Sequence, residues 1–170
     1  MSEWPGTLIS CFTERGIRLV TYVPDKVLIP LIDGFQAHPN VTAFSATREE
    51  EAVGIAAGAS LGGTPSAVLM QSSGFGNIPN ALASLLVPYQ LPVVLVVSER
   101  GVLGEFNAVQ VPISRVIRPA LDALGIPHVT LEREDEVEFL VTRSLHQCHR
   151  TQQPAVLILS PRLTGGKMEG

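Results

Sequence analysis

The chain has 170 residues, 45% of them hydrophobic and 16% charged, with a formal net charge of −4. That length makes one domain able to bury a sizeable core, and so little charge on so apolar a chain predicts a surface largely covered in an oligomer or larger complex. The negative balance, without any Lys/Arg cluster, argues against nucleic acid; no apolar run of bilayer length and no secretory leader pattern is present, which predicts a soluble cytoplasmic protein with no membrane partner.

Helical and strand patterns alternate along the chain. A helix over 4–16 precedes a first apolar run at 18–23, and a helix over 27–38 leads to a second at 41–45. Helix 48–61 leads to strand 66–71, helix 78–89 to strand 92–97, helix 113–124 to strand 127–131, and helix 134–151 to strand 155–160. The runs at 66–71, 92–97 and 155–160 are almost unbroken in apolar residues, as in strands covered on both faces of a parallel sheet. Breakers such as Gly16, Pro65, Pro92, Gly125 and Pro154 fall between the segments. The pattern predicts a three-layer α/β/α sandwich on a six-stranded, mainly parallel sheet. The whole of 1–170 reads as a single domain, with an ordered core over 4–163 and a frayed tail over 164–170.

Ligands of such sheets sit at the carboxyl ends of the strands, so the loops opening at Pro24, Ser45, Gln71, Ser98 and Glu132 are the places to look. The third carries Gly74 and Gly76 ahead of a helix. Two glycines there suit close backbone approach, but the third glycine of a dinucleotide fingerprint and the lysine of a P-loop are missing. On the residues alone it reads as a tight turn with Asn77 as a helix cap. The second loop places Glu49, Glu50 and Glu51 at the mouth of an uncharged helix. Thr47 and Glu50 fit a capping box, while Gly54, Ala56, Ala57, Gly58 and Ala59 predict a helix packed closely on every side, as at a subunit interface. Helical phase puts Glu50 on the side of Val53, Gly54, Ala57 and Leu61, yet periodicity alone does not choose among the three glutamates.

The remaining features are weaker. His146 and His149, one helical turn apart at the end of the last helix with Cys148 between them, lack a further ligand nearby, and Cys11 lies far away, so no metal site and no disulfide framework is predicted. Lys26 follows the first strand, where a ligand would bind, and the loop over 98–105 is long enough to be functional.

Taken in order, "VPD…PLID", "TREEEAVGIAAGASLGG", "AVLMQSSGFGNIPNALASLL…QLPVVLVVSERGVLGE" and "QVPISR" resemble the pyrimidine-binding (Pyr) domain of thiamine-diphosphate enzymes. Within that group the likeness is to sulfopyruvate decarboxylase α subunits and phosphonopyruvate decarboxylases, and it spans roughly residues 10–160. The resemblance implies a glutamate that hydrogen-bonds N1′ of the cofactor's aminopyrimidine and so promotes loss of the thiazolium C2 proton. Anchored on Ala52, Ala56 and Ala57, it assigns that role to Glu50 and leaves Glu49 and Glu51 as first-turn acids. It places Ser73, Gly74, Phe75, Gly76 and Asn77 behind the aminopyrimidine ring, and Gln110 in the active-site cleft. Lys26 and Glu99 depart from the subgroup's usual serine and histidine, so Lys26 is a candidate ligand for an anionic substrate group.

The Gly-Asp-Gly signature for the metal diphosphate is absent from the sequence. The resemblance therefore implies a β subunit whose PP domain carries that motif and binds Mg2+, in a hetero-oligomer of α2β2 form or larger. The implied activity is that of the α subunit of a thiamine-diphosphate 2-oxoacid decarboxylase (a carboxy-lyase), active only with that partner. Two alternatives remain at this level: a carboligase of the acetolactate type, and a non-catalytic α/β ligand-binding regulatory subunit.

Overall fold

The computed structural model of the protein describes residues 3–167. Six strands form one sheet in the order β2-β1-β3-β4-β6-β5, with β1 at Leu19–Tyr22, β2 at Thr42–Ser45, β3 at Ser66–Gln71, β4 at Val94–Ser98, β5 at His128–Leu131 and β6 at Ala155–Leu159. Every neighbouring pair is parallel, so the sheet is wholly rather than mainly parallel. The α helices are α1 (Trp4–Glu14), α2 (Ile29–Ala37), α3 (Glu49–Leu61), α4 (Ser72–Phe75), α5 (Pro79–Ala81), α6 (Val111–Ala123), α7 (Glu134–Thr151) and α8 (Pro161–Thr164).

Alternation along the central strands builds two cores. Ala67 and Leu69 of β3 and Val94 and Val96 of β4 face the layer of α1, α2 and α7. Val68 and Met70, with Leu95 and Val97, face the layer of α3, α5 and α6. Both sets are fully buried, which is why these strands lack a polar face.

The helix after β2 shows what its small residues do. Ala52, Ala56 and Ala57 are buried against the sheet, and they bring the backbone of α3 close enough to accept hydroxyl hydrogens from two strands. Thr21 Oγ1 of β1 donates to the Ala52 carbonyl at 3.0 Å, and Ser66 Oγ of β3 donates to the Ala56 carbonyl at 2.9 Å. Larger side chains at these positions would lift the helix off both hydroxyls. Within this one chain the close packing lies on the sheet side, and Gly54, Gly58 and Leu61 are exposed.

Several boundaries differ from the sequence reading for local reasons. The expected helix over 27–38 divides into a 3-10 turn, Lys26–Leu28, and α2, with Pro30 in the first turn of α2. The expected helix over 78–89 is one α turn running into a π turn, Leu82–Leu86, ahead of Gln90 at φ 54°. Helix α6 starts at Val111 because Pro112 is tolerated in a first turn, where its missing N–H needs no partner. The short elements α4, α8 and a 3-10 turn at Ala108–Gln110 carry no periodic signal. Of the tail over 164–170, Thr164 closes α8 and Lys167 bonds the buried Asp25; 168–170 lie outside the described residues. Among the described residues, no helix is long and apolar enough to cross a membrane.

The strand order places the site. The chain goes from β1 outward to β2, then returns to β3 on the other side of β1. A crevice therefore opens at the carboxyl ends of β1 and β3, where the direction of winding reverses.

Candidate functional site

Three loops meet at that edge, and buried polar residues hold them. Asp25, just past β1, is 7% exposed and gathers four donors. Its Oδ1 accepts from the Val27 amide at 3.0 Å and Ser98 Oγ at 3.2 Å, and its Oδ2 from Gln71 Nε2 at 2.6 Å and Lys167 Nζ at 2.5 Å. Burial pushes this carboxyl up, but the Lys167 and Gln71 hydrogen bonds outweigh it and hold the group below the ordinary aspartate value. Gln71 passes the connection on, since its Oε1 accepts from Ser73 Oγ at 2.7 Å. One carboxylate thus ties the ends of β1, β3 and β4 to the glycine turn.

The turn itself meets the acidic cluster through Glu49. Asn77 Nδ2 donates to Glu49 Oε2 at 3.0 Å, and the Glu49 carboxylate lies so close to Gly74 that a β-carbon there would stand 2.2 Å from Oε1. Glycine at 74 is required by this approach. Glu49 is half-buried and heads the face of α3 that continues through Ala52, Val53 and Ala56, all fully buried.

Its two neighbours have other partners. Glu50 lies at the surface, its side chain 39% exposed, bonded to Arg48 at 3.1 Å and 3.4 Å. Its own backbone N–H and the Arg48 guanidinium hold its carboxyl below the ordinary value. Glu51 Oε2 accepts from the Thr47 amide at 2.6 Å. The expected capping box is therefore replaced: Arg48 occupies the cap position without a side-chain bond, and Glu51, not Glu50, reaches back to Thr47.

The other candidates divide between the crevice and its surroundings. Phe75 is fully buried in the second core, so its side chain anchors the turn from below. Gly76 faces Ile113 of α6, whose Cδ1 would be 2.9 Å from a β-carbon. This contact brings the start of α6, and Gln110 just before it, to the same turn. Gln110 Oε1 is buried without a hydrogen-bond partner among the described residues. Lys26 is exposed and lines a different recess with Trp4, Pro5, Pro30 and Thr164. The structure does not bring it to the Glu49–Asn77 contact.

Glu99 is 4% exposed on its side chain and bonded to Arg118 at 2.5 Å, which fastens the end of β4 to α6. No group of three His, Cys, Asp or Glu side chains among the described residues is arranged to hold a metal ion. At the opposite end of α7, burial pushes the Cys148 thiol up to about 12.

Sequence reasoning missed Asp25 and the buried pair Arg100–Glu105, 7% and 4% exposed at 2.5 Å. The available signal was the placement of charges directly after two strands of a charge-poor chain. Arg100 holds the Glu105 carboxyl down to about 2, supported by the Gly101 and Asn107 amides.

Comparison with known proteins matches this architecture. Residues 6–110 fit the model of the family described as thiamine pyrophosphate enzyme, N-terminal TPP binding domain. The chain is 35% identical over 151 residues to the sulfopyruvate decarboxylase subunit alpha of Methanocaldococcus jannaschii, covering 89% of each chain. It is 42% identical over 117 residues to the subunit of the same name in Methanothermobacter thermautotrophicus, covering 69% of this chain and 71% of that one. With the phosphonopyruvate decarboxylase of Streptomyces viridochromogenes it shares 40% identity over 98 residues, 58% of this chain and 25% of that longer protein. The fold superposes with a TM-score of 0.72 on a 2-oxoglutarate:ferredoxin oxidoreductase from Magnetococcus marinus, at 11% identity, over 96% of this chain and 29% of that one. By the family model and by these relatives, the chain belongs to the thiamine pyrophosphate enzymes, as their N-terminal TPP-binding (Pyr) domain.

Proposed function

We propose that this chain is the cofactor-activating subunit of a thiamine-diphosphate 2-oxoacid decarboxylase of the sulfopyruvate or phosphonopyruvate type, and that its activating acid is Glu49 rather than Glu50. The observation that carries the assignment is the Asn77–Glu49 hydrogen bond beside Gly74. An acid that exchanges a proton with a ring nitrogen must be held in place and partly withdrawn from water, yet remain able to reach the ring. Glu49 and Glu50 are alike half-buried, but Glu49 is held at the crevice by Asn77, whereas Glu50 is committed to Arg48.

The chain's residues fit the aminopyrimidine end of the cofactor. Glu49 supplies a carboxylate for the ring nitrogen, Gly74 leaves room for that carboxylate at the turn, and Gly76 leaves room for Ile113 of α6. Asn77 fixes Glu49 Oε2, which leaves Oε1 as the atom to share the proton. Gln110 supplies a buried amide oxygen that has no partner among the described residues, suited to a donor on the bound ligand. When bound, thiamine diphosphate supplies the electron sink into which a 2-oxoacid loses its carboxylate as carbon dioxide.

The diphosphate and its Mg2+ belong, in this reading, to a partner subunit carrying Gly-Asp-Gly, a motif this sequence does not contain. The relatives named as an alpha subunit support a two-subunit assembly. The test is co-expression with such a partner, followed by carbon dioxide release from sulfopyruvate and phosphonopyruvate in the presence of thiamine diphosphate and Mg2+. Release that depends on both chains supports the proposal. Tight cofactor binding by this chain alone, or no release from either acid, overturns it.

A further inference from the structure

We infer that Glu105 is a positioning residue for Gln110, acting through Asn107; the inference rests on the site reading given above. Gln110 Oε1 is buried without a hydrogen-bond partner among the described residues, a state that costs stability. The bonds that fix the backbone carrying this side chain start at the Glu105 carboxylate. Glu105 accepts from Arg100 Nε at 2.7 Å and Nη2 at 2.5 Å, from the Gly101 amide at 2.8 Å and from the Asn107 amide at 2.9 Å. Asn107 Oδ1 then accepts from the Val109 amide at 3.2 Å, and the Asn107 carbonyl from the Gln110 amide at 3.0 Å. These bonds form the 3-10 turn that ends at Gln110.

The other side of the loop closes on the same residue. Gly101 sits at φ 78°, and a β-carbon there would stand 2.2 Å from the Gln110 carbonyl oxygen. Ser114 Oγ of α6 donates to the Gly101 carbonyl at 3.0 Å. The loop is also pinned to the cofactor turn, since the Arg100 amide donates to Ser72 Oγ at 2.6 Å and Ser72 opens α4. Arg100 and Glu105 therefore set the distance between Gln110 and the Gly74–Asn77 turn. Burying both charges costs desolvation, and a loop whose tip, Leu103, is 82% exposed gains little core from it. The return is a fixed geometry.

Two measurements test this. In the full chain without cofactor, Glu105→Gln and Asn107→Ala should speed amide hydrogen exchange at Val109 and Gln110 at least about tenfold, the effect of losing one ordering hydrogen bond, and leave the amides of β3 unchanged. Unchanged exchange at Val109 and Gln110 overturns the proposal whatever the enzyme does. In the complex with the Gly-Asp-Gly partner, Asn107→Ala and Gln110→Ala should each raise KM for the 2-oxoacid more than they lower kcat. The double variant should be no worse than Gln110→Ala, because Asn107 acts through Gln110. Additive losses overturn the proposal, and an inactive wild-type complex refutes the functional reading while the exchange result still decides this one.

Discussion

Asn77 and Glu49, 28 residues apart in sequence, are joined by a 3.0 Å hydrogen bond that ties the turn after β3 to the first turn of α3. The bond distinguishes three consecutive glutamates that composition cannot separate. Glu49→Gln keeps the shape and the Asn77 contact but removes the proton-exchanging group. In the assembled enzyme it should lower the rate by about 10²–10⁴-fold, the usual worth of general acid–base assistance. Glu50→Gln, at a surface ion pair, should change the rate by no more than about twofold. Steady-state decarboxylation by both variants decides the matter: a loss confined to Glu50→Gln returns the role to Glu50.

Gly74 offers an independent probe of the same contact. A β-carbon at 74 would stand 2.2 Å from Glu49 Oε1, 2.5 Å from Cδ and 2.6 Å from Cγ. The atoms that must move belong to a flexible side chain rather than to the core. Gly74→Ala should therefore leave the melting temperature almost unchanged and displace the Glu49 carboxylate, with an activity loss of about tenfold or more from misplacement alone. A variant that melts normally and works normally would show that Glu49 does not need its present position.

The sheet was legible because fully buried parallel strands leave near-continuous apolar runs, as at Ser66–Gln71, which the structure keeps unaltered. The helix over 78–89 was less so, since a π turn has no distinct sequence period. The site was legible only in part. Helical phase advances about 100° per residue, so Glu49 and Glu50 both lie near the apolar face. The choice between them depends on where a distant turn lands. The small residues of α3 gave an ambiguous signal for the same reason: alanine suits a close sheet contact and a close subunit contact equally. Only the hydroxyls of Thr21 and Ser66, bonded to its carbonyls, identify the sheet as the partner of one face.

Lys167 and Asp25, separated by 142 positions, form an ion pair at the strand ends. Asp25 is 3% exposed on its side chain and Lys167 22%, so the pair is sheltered on one side. A hydrogen bond to a charged group contributes about 1.5–3 kcal/mol, and in a chain of this size each kcal/mol moves the melting temperature by about 2–4 °C. Lys167→Ala should lower it by about 3–12 °C at neutral pH. Thermal unfolding followed by circular dichroism checks this, and an unchanged midpoint would mean that Lys167 contributes nothing to Asp25.

The Arg100–Glu105 pair makes a prediction about acid stability whose sign follows from Glu105. The carboxyl falls from the ordinary 4.5 to about 2 in the folded chain, chiefly through Arg100. A group whose folded-state pKa is depressed adds stability that is complete above its unfolded value and is lost as pH falls toward the folded one. The contribution of Glu105 is therefore intact above pH ~4.5 and disappears progressively between there and pH ~2. Glu105→Gln lacks the titrating group, so its deficit in melting temperature should be largest near neutrality and narrow as pH falls from 5 toward 3. Asp25 is depressed as well, but it is present in both proteins and cancels in the difference. A deficit that stays constant across this range would mean that the pair's charge adds nothing beyond the shape of the loop.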